Sequence, residues 1–144
     1  MAKQLNIFLE NRPGRLKSVT EALSDKKINI IAFTIQDRGD FGLMKLIVDN
    51  PQDAYLALSE TGYACALKNT LLICIKDKPG NLNKLSSILL KHKINIIDAH
   101  GFAISSSKQG VCSLEVNERD FTKASKVLEK EGFKVLTEKE SCRI

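Results

Sequence analysis

Nowhere in the 144-residue chain does an apolar run approach the roughly 20 residues needed to cross a bilayer, and Met1-Ala2-Lys3-Gln4 lacks the apolar block of a secretory signal. No membrane partner is expected, and a cytoplasmic location is. The four cysteines, Cys65, Cys74, Cys112 and Cys142, show no CxxC spacing, which leaves neither a zinc site nor a disulfide framework supported. Cys74 and Cys112 stand in apolar strand-like runs, where a thiol usually acts as a small buried hydrophobe. The two histidines, His92 and His100, come without an Asp or Cys arrangement that suggests a catalytic set. His92 reads as a solvated residue near a helix end, and His100 lies in a strand with its role open. No catalytic residue, no metal ligand and no cofactor are expected.

The charge balance is also short of a strong signal. The formal charge is +5, from 22 basic and 17 acidic residues. The cations are interleaved with acids, as in Glu129-Lys130-Glu131 and Glu138-Lys139-Glu140, which is the pattern of a solvated surface. With 43% hydrophobic and 27% charged residues the chain is globular and soluble in character, long enough for one ordinary domain or two small ones.

What the sequence does have is a repeated turn. Asn11-Arg12-Pro13-Gly14-Arg15-Leu16 is echoed 66 residues later by Asp77-Lys78-Pro79-Gly80-Asn81-Leu82. Each follows an alternating apolar run and precedes a helical pattern. Pro fixes φ and Gly takes backbone angles that other residues avoid, so each stretch reads as a strand-to-helix turn. Such a turn aims first-turn amides, which lack helical partners, at a carboxylate or phosphate.

The rest of the chain falls in order around these turns. Gln4 to Glu10 alternates, with Leu5, Ile7 and Leu9 on one face and Asn6 and Phe8 on the other, which predicts a half-buried strand. Leu16, Val19, Ala22 and Leu23 then recur at helical spacing, and Asp25-Lys26-Lys27 closes the helix. Ile28 to about Ile35 is a β-branched segment, Asp37-Arg38-Gly39-Asp40 a hairpin turn, and Leu43 to Val48 a returning strand. Asn50 caps a second helix with Pro51 at its first position, Gly62 stops it, and Tyr63 to Leu67 is a short last strand. The order is βαββαβ.

The second half repeats the pattern. Leu71, Ile73 and Ile75 answer Leu5, Ile7 and Leu9; Leu82, Leu85, Ile88 and Leu89 answer Leu16, Val19, Ala22 and Leu23. Lys93-Ile94-Asn95-Ile96-Ile97 is identical to Lys27-Ile28-Asn29-Ile30-Ile31. The offset grows through a longer hairpin around Ser105 to Gly110, until Gly132 answers Gly62. An internal duplication explains this. The sequence therefore predicts an α+β protein of two βαββαβ units, residues 3–69 and 70–140. With only Lys68-Asn69-Thr70 as a linker, the two are expected to pack together.

Residue types narrow the function. An RNA-binding version of this topology stacks bases on central-strand aromatics, and Leu43–Val48 and Val111–Val116 contain none, so no nucleic-acid partner is expected. A phosphoryl hydrolase would use Arg12 or Arg15 with Asn29 to position water, but the second copy has Lys78 and Asn81 at the two Arg positions. Binding remains. The turn amides suit a carboxylate, and the side-chain oxygen of Asn11 or the carboxylate of Asp77 accepts from an ammonium. Asn29 and Asn95, beside the turn in the expected topology, either supply a complementary donor and acceptor or only terminate a helix. Together the groups match an α-amino acid whose side chain faces Leu16 or Leu82.

The repeated strand, Asn-x-Pro-Gly turn, helix and Ile-Asn-Ile strand resembles the ACT domain, a small-molecule sensor of amino-acid metabolism, in two copies covering nearly the whole chain. Asn11, Arg12, Pro13, Gly14, Arg15 and Leu16, with Asn29 and Ile30, fit the family's ligand-contacting segments. In the second copy Asp77, Lys78, Pro79, Gly80, Asn81 and Leu82, with Asn95 and Ile96, correspond, with Asp77 in place of Asn and Lys78 in place of Arg. The resemblance implies ferredoxin-like units, each a four-stranded antiparallel sheet with two helices on one face. It also implies pairing within or between chains, with amino acids at the seam. The expected protein is a free-standing regulator that binds an amino acid, self-associates into a homo-oligomer, and acts on a separate metabolic enzyme. The alternatives are a small phosphoryl hydrolase and a ligand-free pairing module.

Overall fold

The computed structural model describes residues 1–10, 12–103 and 109–143. The first repeat builds β1 (Ala2–Glu10), α1 (Arg15–Asp25), β2 (Ile30–Asp37), β3 (Phe41–Val48) and α2 (Pro51–Glu60), and closes on β4 (Ala64–Lys76). Alternation makes β1 a strand, and Leu5, Ile7 and Leu9 are buried as expected. Asn6, on the opposite face, is buried too, where its Oδ1 accepts from Gln4 Nε2 at 2.9 Å and so keeps a partner away from water. Leu5 pairs with Leu46 and Ile7 with Met44 across β1 and β3, which gathers large side chains on one face. Val19 and Leu23 of α1, with Ala54 and Leu58 of α2, close that face into a core. The strand order is β2-β3-β1-β4.

Two stops of α2 work as the sequence predicts. The Asn50 side chain accepts from the Asp53 backbone amide, with Pro51 at the first helical position, and Gly62 leaves the helix at φ +88°. α1 ends differently. Lys27, not Asn29, takes the left-handed conformation at φ 57°, and Lys93 repeats it at φ 57°. The amides of Lys27 and Ile28 bond back to Ser24 and Leu23 carbonyls, satisfying the last turn. Asn29 therefore does not terminate the helix; its backbone amide donates to Asp49 Oδ1 at 3.0 Å.

The second repeat adds α3 (Asn81–Lys91), β5 (Ile96–Ala103), β6 (Gln109–Val116), α4 (Glu118–Lys130), β7 (Lys134–Val135) and the one-turn α5 (Glu138–Ser141). β5, β6 and the later part of β4 form the sheet, with β7 pairing β4 on its other side. Leu71, Ile73, Leu85, Leu89, Leu114 and Leu128 fill the core under α3 and α4. His92 is the C-cap of α3. The hairpin expected around Ser105 to Gly110 falls mostly outside the described residues.

One expectation is corrected. Residues 68–70 are not a linker between two strands but the middle of one 13-residue strand, β4. That stretch has no Gly or Pro to break it, and buried Thr70 is held by its side chain, with Oγ1 2.8 Å from Ser113 Oγ and 3.2 Å from the Leu114 carbonyl oxygen. Residues Lys3–Lys68 form one compact unit, to which Arg143 also belongs, and Asn69–Cys142, with Met1–Ala2, the other.

Candidate functional site

Both Pro-Gly turns have the same backbone. Gly14 at φ 87° and Gly80 at φ 89° are left-handed N-caps of 11-residue helices, and neither helix has a side-chain cap. A Cβ at either glycine would meet nothing within 4 Å, so glycine is required here by conformation and not by crowding. No side chain caps the first-turn amides, although at the second turn the Asn81 amide bonds to the Lys78 carbonyl oxygen.

The side chains around the two turns differ. At the first, Glu10 Oε2 accepts from Arg12 Nε and Arg15 Nη2, both at 2.9 Å. The Arg15 hydrogen bond, aided by the charges of both arginines, holds the Glu10 carboxyl below its usual range, and Glu10 in turn raises Arg15. Arg15 Nε is buried with no hydrogen-bond partner among the described residues. The two guanidiniums that a phosphoryl-transfer site would use are thus both engaged by one acid. Asn11 lies outside the described residues. Leu16 is 41% exposed.

At the second turn, Asn81 replaces Arg15 and its Nδ2 donates to the Lys76 carbonyl oxygen at 2.8 Å, tying the turn shut. Two cavities border this turn. One, of about 430 Å³, has Asp77, Lys78, Asn81 and Leu82 on one side and Ala99, Gly101 and Phe102 of β5 among its other walls. It brings a helix N-terminus, a carboxylate and an apolar floor together. Gly101 pairs with buried Cys112, and the small β5 residues leave the space that larger ones would fill. Burial raises the Cys112 thiol above its ordinary range. The other cavity, of about 410 Å³, has Lys76, Lys78, Lys84 and Lys134 among its walls.

Asn29 and Asn95 are not beside their own turns. Each stands past the C-terminal end of an 11-residue helix whose N-terminus carries the turn, roughly 16 Å away at 1.5 Å per residue. Both are exposed, with Ile30 and Ile96 half-buried behind them. Asn29 lines a shallow depression with Thr20, Ser24 and Lys27. A ligand the size of an amino acid cannot reach from Gly14 to Asn29 of one unit, and the arginine-asparagine set of a hydrolase is not assembled there.

The doubled turn, the βαββαβ order and the strand pairing agree with residues 1–143 matching the ACT domain pair family. The chain belongs to that family. Among solved structures, this ACT domain pair is similar to protein BT0572 from Bacteroides thetaiotaomicron, at 31% identity over 99% of this chain and 96% of that one, with a TM-score of 0.90. It shares its fold with the regulatory subunit of aspartate kinase from Thermus thermophilus, at 17% identity over 90% and 92% of the two chains and a TM-score of 0.65. The regulatory subunit from Thermus flavus is similar at 15% identity over 89% and 90%, with a TM-score of 0.61. No curated protein matches the chain. No helix among the described residues is long and apolar enough to cross a membrane, and no described cluster of His, Cys, Asp or Glu is arranged to hold a metal ion.

Several lining residues of the ACT pair's cavities were not singled out from the sequence. Lys84, Phe133 and Lys134 reach the second turn from α3 and from the α4–β7 connection. Their signal was present in the repeat: Phe133 and Lys134 answer Tyr63 and Ala64 once the longer hairpin is allowed for.

Proposed function

We propose that this ACT domain pair is a non-catalytic regulator that binds a free amino acid at its Pro-Gly turns and acts on a metabolic enzyme in the cytoplasm. The observation that carries the reading is the pair of uncapped helix N-termini behind left-handed Gly14 and Gly80, the second opening on a cavity with both polar and apolar walls. The carboxylate of the ligand takes the open amides. Its ammonium takes Asp77 in the second repeat and Asn11 in the first, and its side chain lies against Leu82 or Leu16. Asn29 and Asn95 serve a ligand held by a turn of a second copy of the chain, in keeping with the homo-oligomer we also propose. The sharing of a fold with regulatory subunits of aspartate kinase supports a role of this kind.

A thermal-shift screen over the twenty amino acids tests it, since a ligand that binds only the folded state raises the melting temperature. One or a few amino acids are expected to raise it in a concentration-dependent way. A flat response to all twenty at millimolar concentration would overturn the reading.

A further inference from the structure

The lysine-walled cavity beside the second turn has no counterpart in the first repeat's sequence. Lys84 and Ser18 are equivalent, because Lys84 N bonds to Gly80 O as Ser18 N bonds to Gly14 O. Lys134 and Ala64 are equivalent, because Phe133 N bonds to Leu128 O as Tyr63 N bonds to Leu58 O one residue earlier. Lys76 stands where Glu10 does. Three positions that are acidic, hydroxyl-bearing or apolar in one repeat are thus all lysine in the other. They come from the end of β4, the first turns of α3 and the start of β7, and they line one cavity of about 410 Å³ together with Lys78.

Lysines lining one cleft repel one another, and a cleft lined mainly by one sign of charge concentrates the opposite ion. The internal compensation is partial. Lys134 Nζ is 2.8 Å from Glu140 Oε1. Lys84 Nζ lies 5.5 Å from the centroid of the Phe133 ring and 3.5 Å from the Glu131 carbonyl oxygen. Lys76 and Lys78 make no ion pair among the described residues. The mouth of α3 adds its positive end to the same space. No arginine is among the walls, so binding there rests on point-like lysine ammonium groups, which favour the anion that carries more charge. The volume is within the range of small-molecule sites.

We propose that this cavity binds a phosphate-bearing small molecule, its phosphoryl oxygens held by Lys78, Lys84 and Lys134 at the mouth of α3. The proposal differs from the amino-acid reading in Lys84 and Lys134, which line only this cavity, whereas Lys76, Lys78 and Asn81 line both.

Calorimetry on the full chain at constant ionic strength, with inorganic pyrophosphate as the probe and malonate and chloride as comparison anions, tests it. Pyrophosphate is expected to bind the native protein about tenfold or more tighter than malonate. The Lys84→Gln/Lys134→Gln variant is expected to lose about tenfold or more of that affinity, as the loss of charged hydrogen bonds implies. Lys17→Gln, on the exposed face of α1, is expected to bind as the native protein does. Absence of pyrophosphate binding, equal binding of malonate, or full affinity in the double variant would overturn the proposal. If circular dichroism shows the double variant unfolded, Lys84→Gln alone takes its place, and the native contrast between pyrophosphate and malonate still decides.

Discussion

Arg15 Nη2 donates to Glu10 Oε2 at 2.9 Å, joining the first turn of α1 to the last residue of β1. Arg12 shares the same oxygen. In the second repeat the corresponding residues are Asn81 and Lys76, and the link becomes a side-chain amide on a backbone carbonyl. The two turns share a backbone but not a charge. At one, a single carboxylate pairs with two cations; at the other, lysines line a cavity.

Glu140 gives the clearest pH prediction. The hydrogen bond from Lys134, with those from the Thr137 amide and hydroxyl, lowers its carboxyl to about 2. A depressed folded value means that the stabilisation is complete above the ordinary carboxylate value and is lost as pH falls toward about 2. An NMR titration of the Glu140 carboxyl should show a midpoint near 2, and Lys134→Gln should move it up toward 4.5. A native midpoint near 4.5 contradicts the arrangement.

Gly80→Ala should destabilise the protein by about 1 to 2 kcal/mol, the cost of a left-handed residue with a Cβ. Nothing crowds the added methyl, so the loss measures conformation alone. Denaturant unfolding that shows no change would mean that the turn relaxes without cost.

Thr70→Val keeps the shape and removes a hydroxyl that bonds Ser113 Oγ and the Leu114 carbonyl oxygen in a buried site. A loss of about 1 to 3 kcal/mol is expected, because buried groups are left without that partner. Chemical denaturation checks it, and a neutral outcome would deny the bond its part in holding β4 together.

The fold was largely legible, because Leu5, Ile7 and Leu9 alternate at strand period and Val19 and Leu23 recur at helical period. The repeat offset then supplied the second unit. The continuity of β4 was not legible, since Asn69 and Thr70 look like linker residues until Thr70 meets Ser113, 43 positions away. Nor was the separation of Asn29 from Gly14. Sequence proximity to β2 suggested nearness to the turn, whereas the length of α1 puts the two at opposite ends. The lysine cavity draws its walls from several elements, and only alignment of the two repeats reveals that Lys76, Lys84 and Lys134 changed together.

The most direct test of the central claim is calorimetry of the amino acid selected by the thermal-shift screen, set against its deamino and decarboxylated analogues. Turn amides that hold the carboxylate and acceptors that hold the ammonium each contribute a charged hydrogen bond, so each analogue should bind about tenfold or more weakly than the parent. An analogue lacking the carboxylate that binds as tightly as the amino acid would contradict the account.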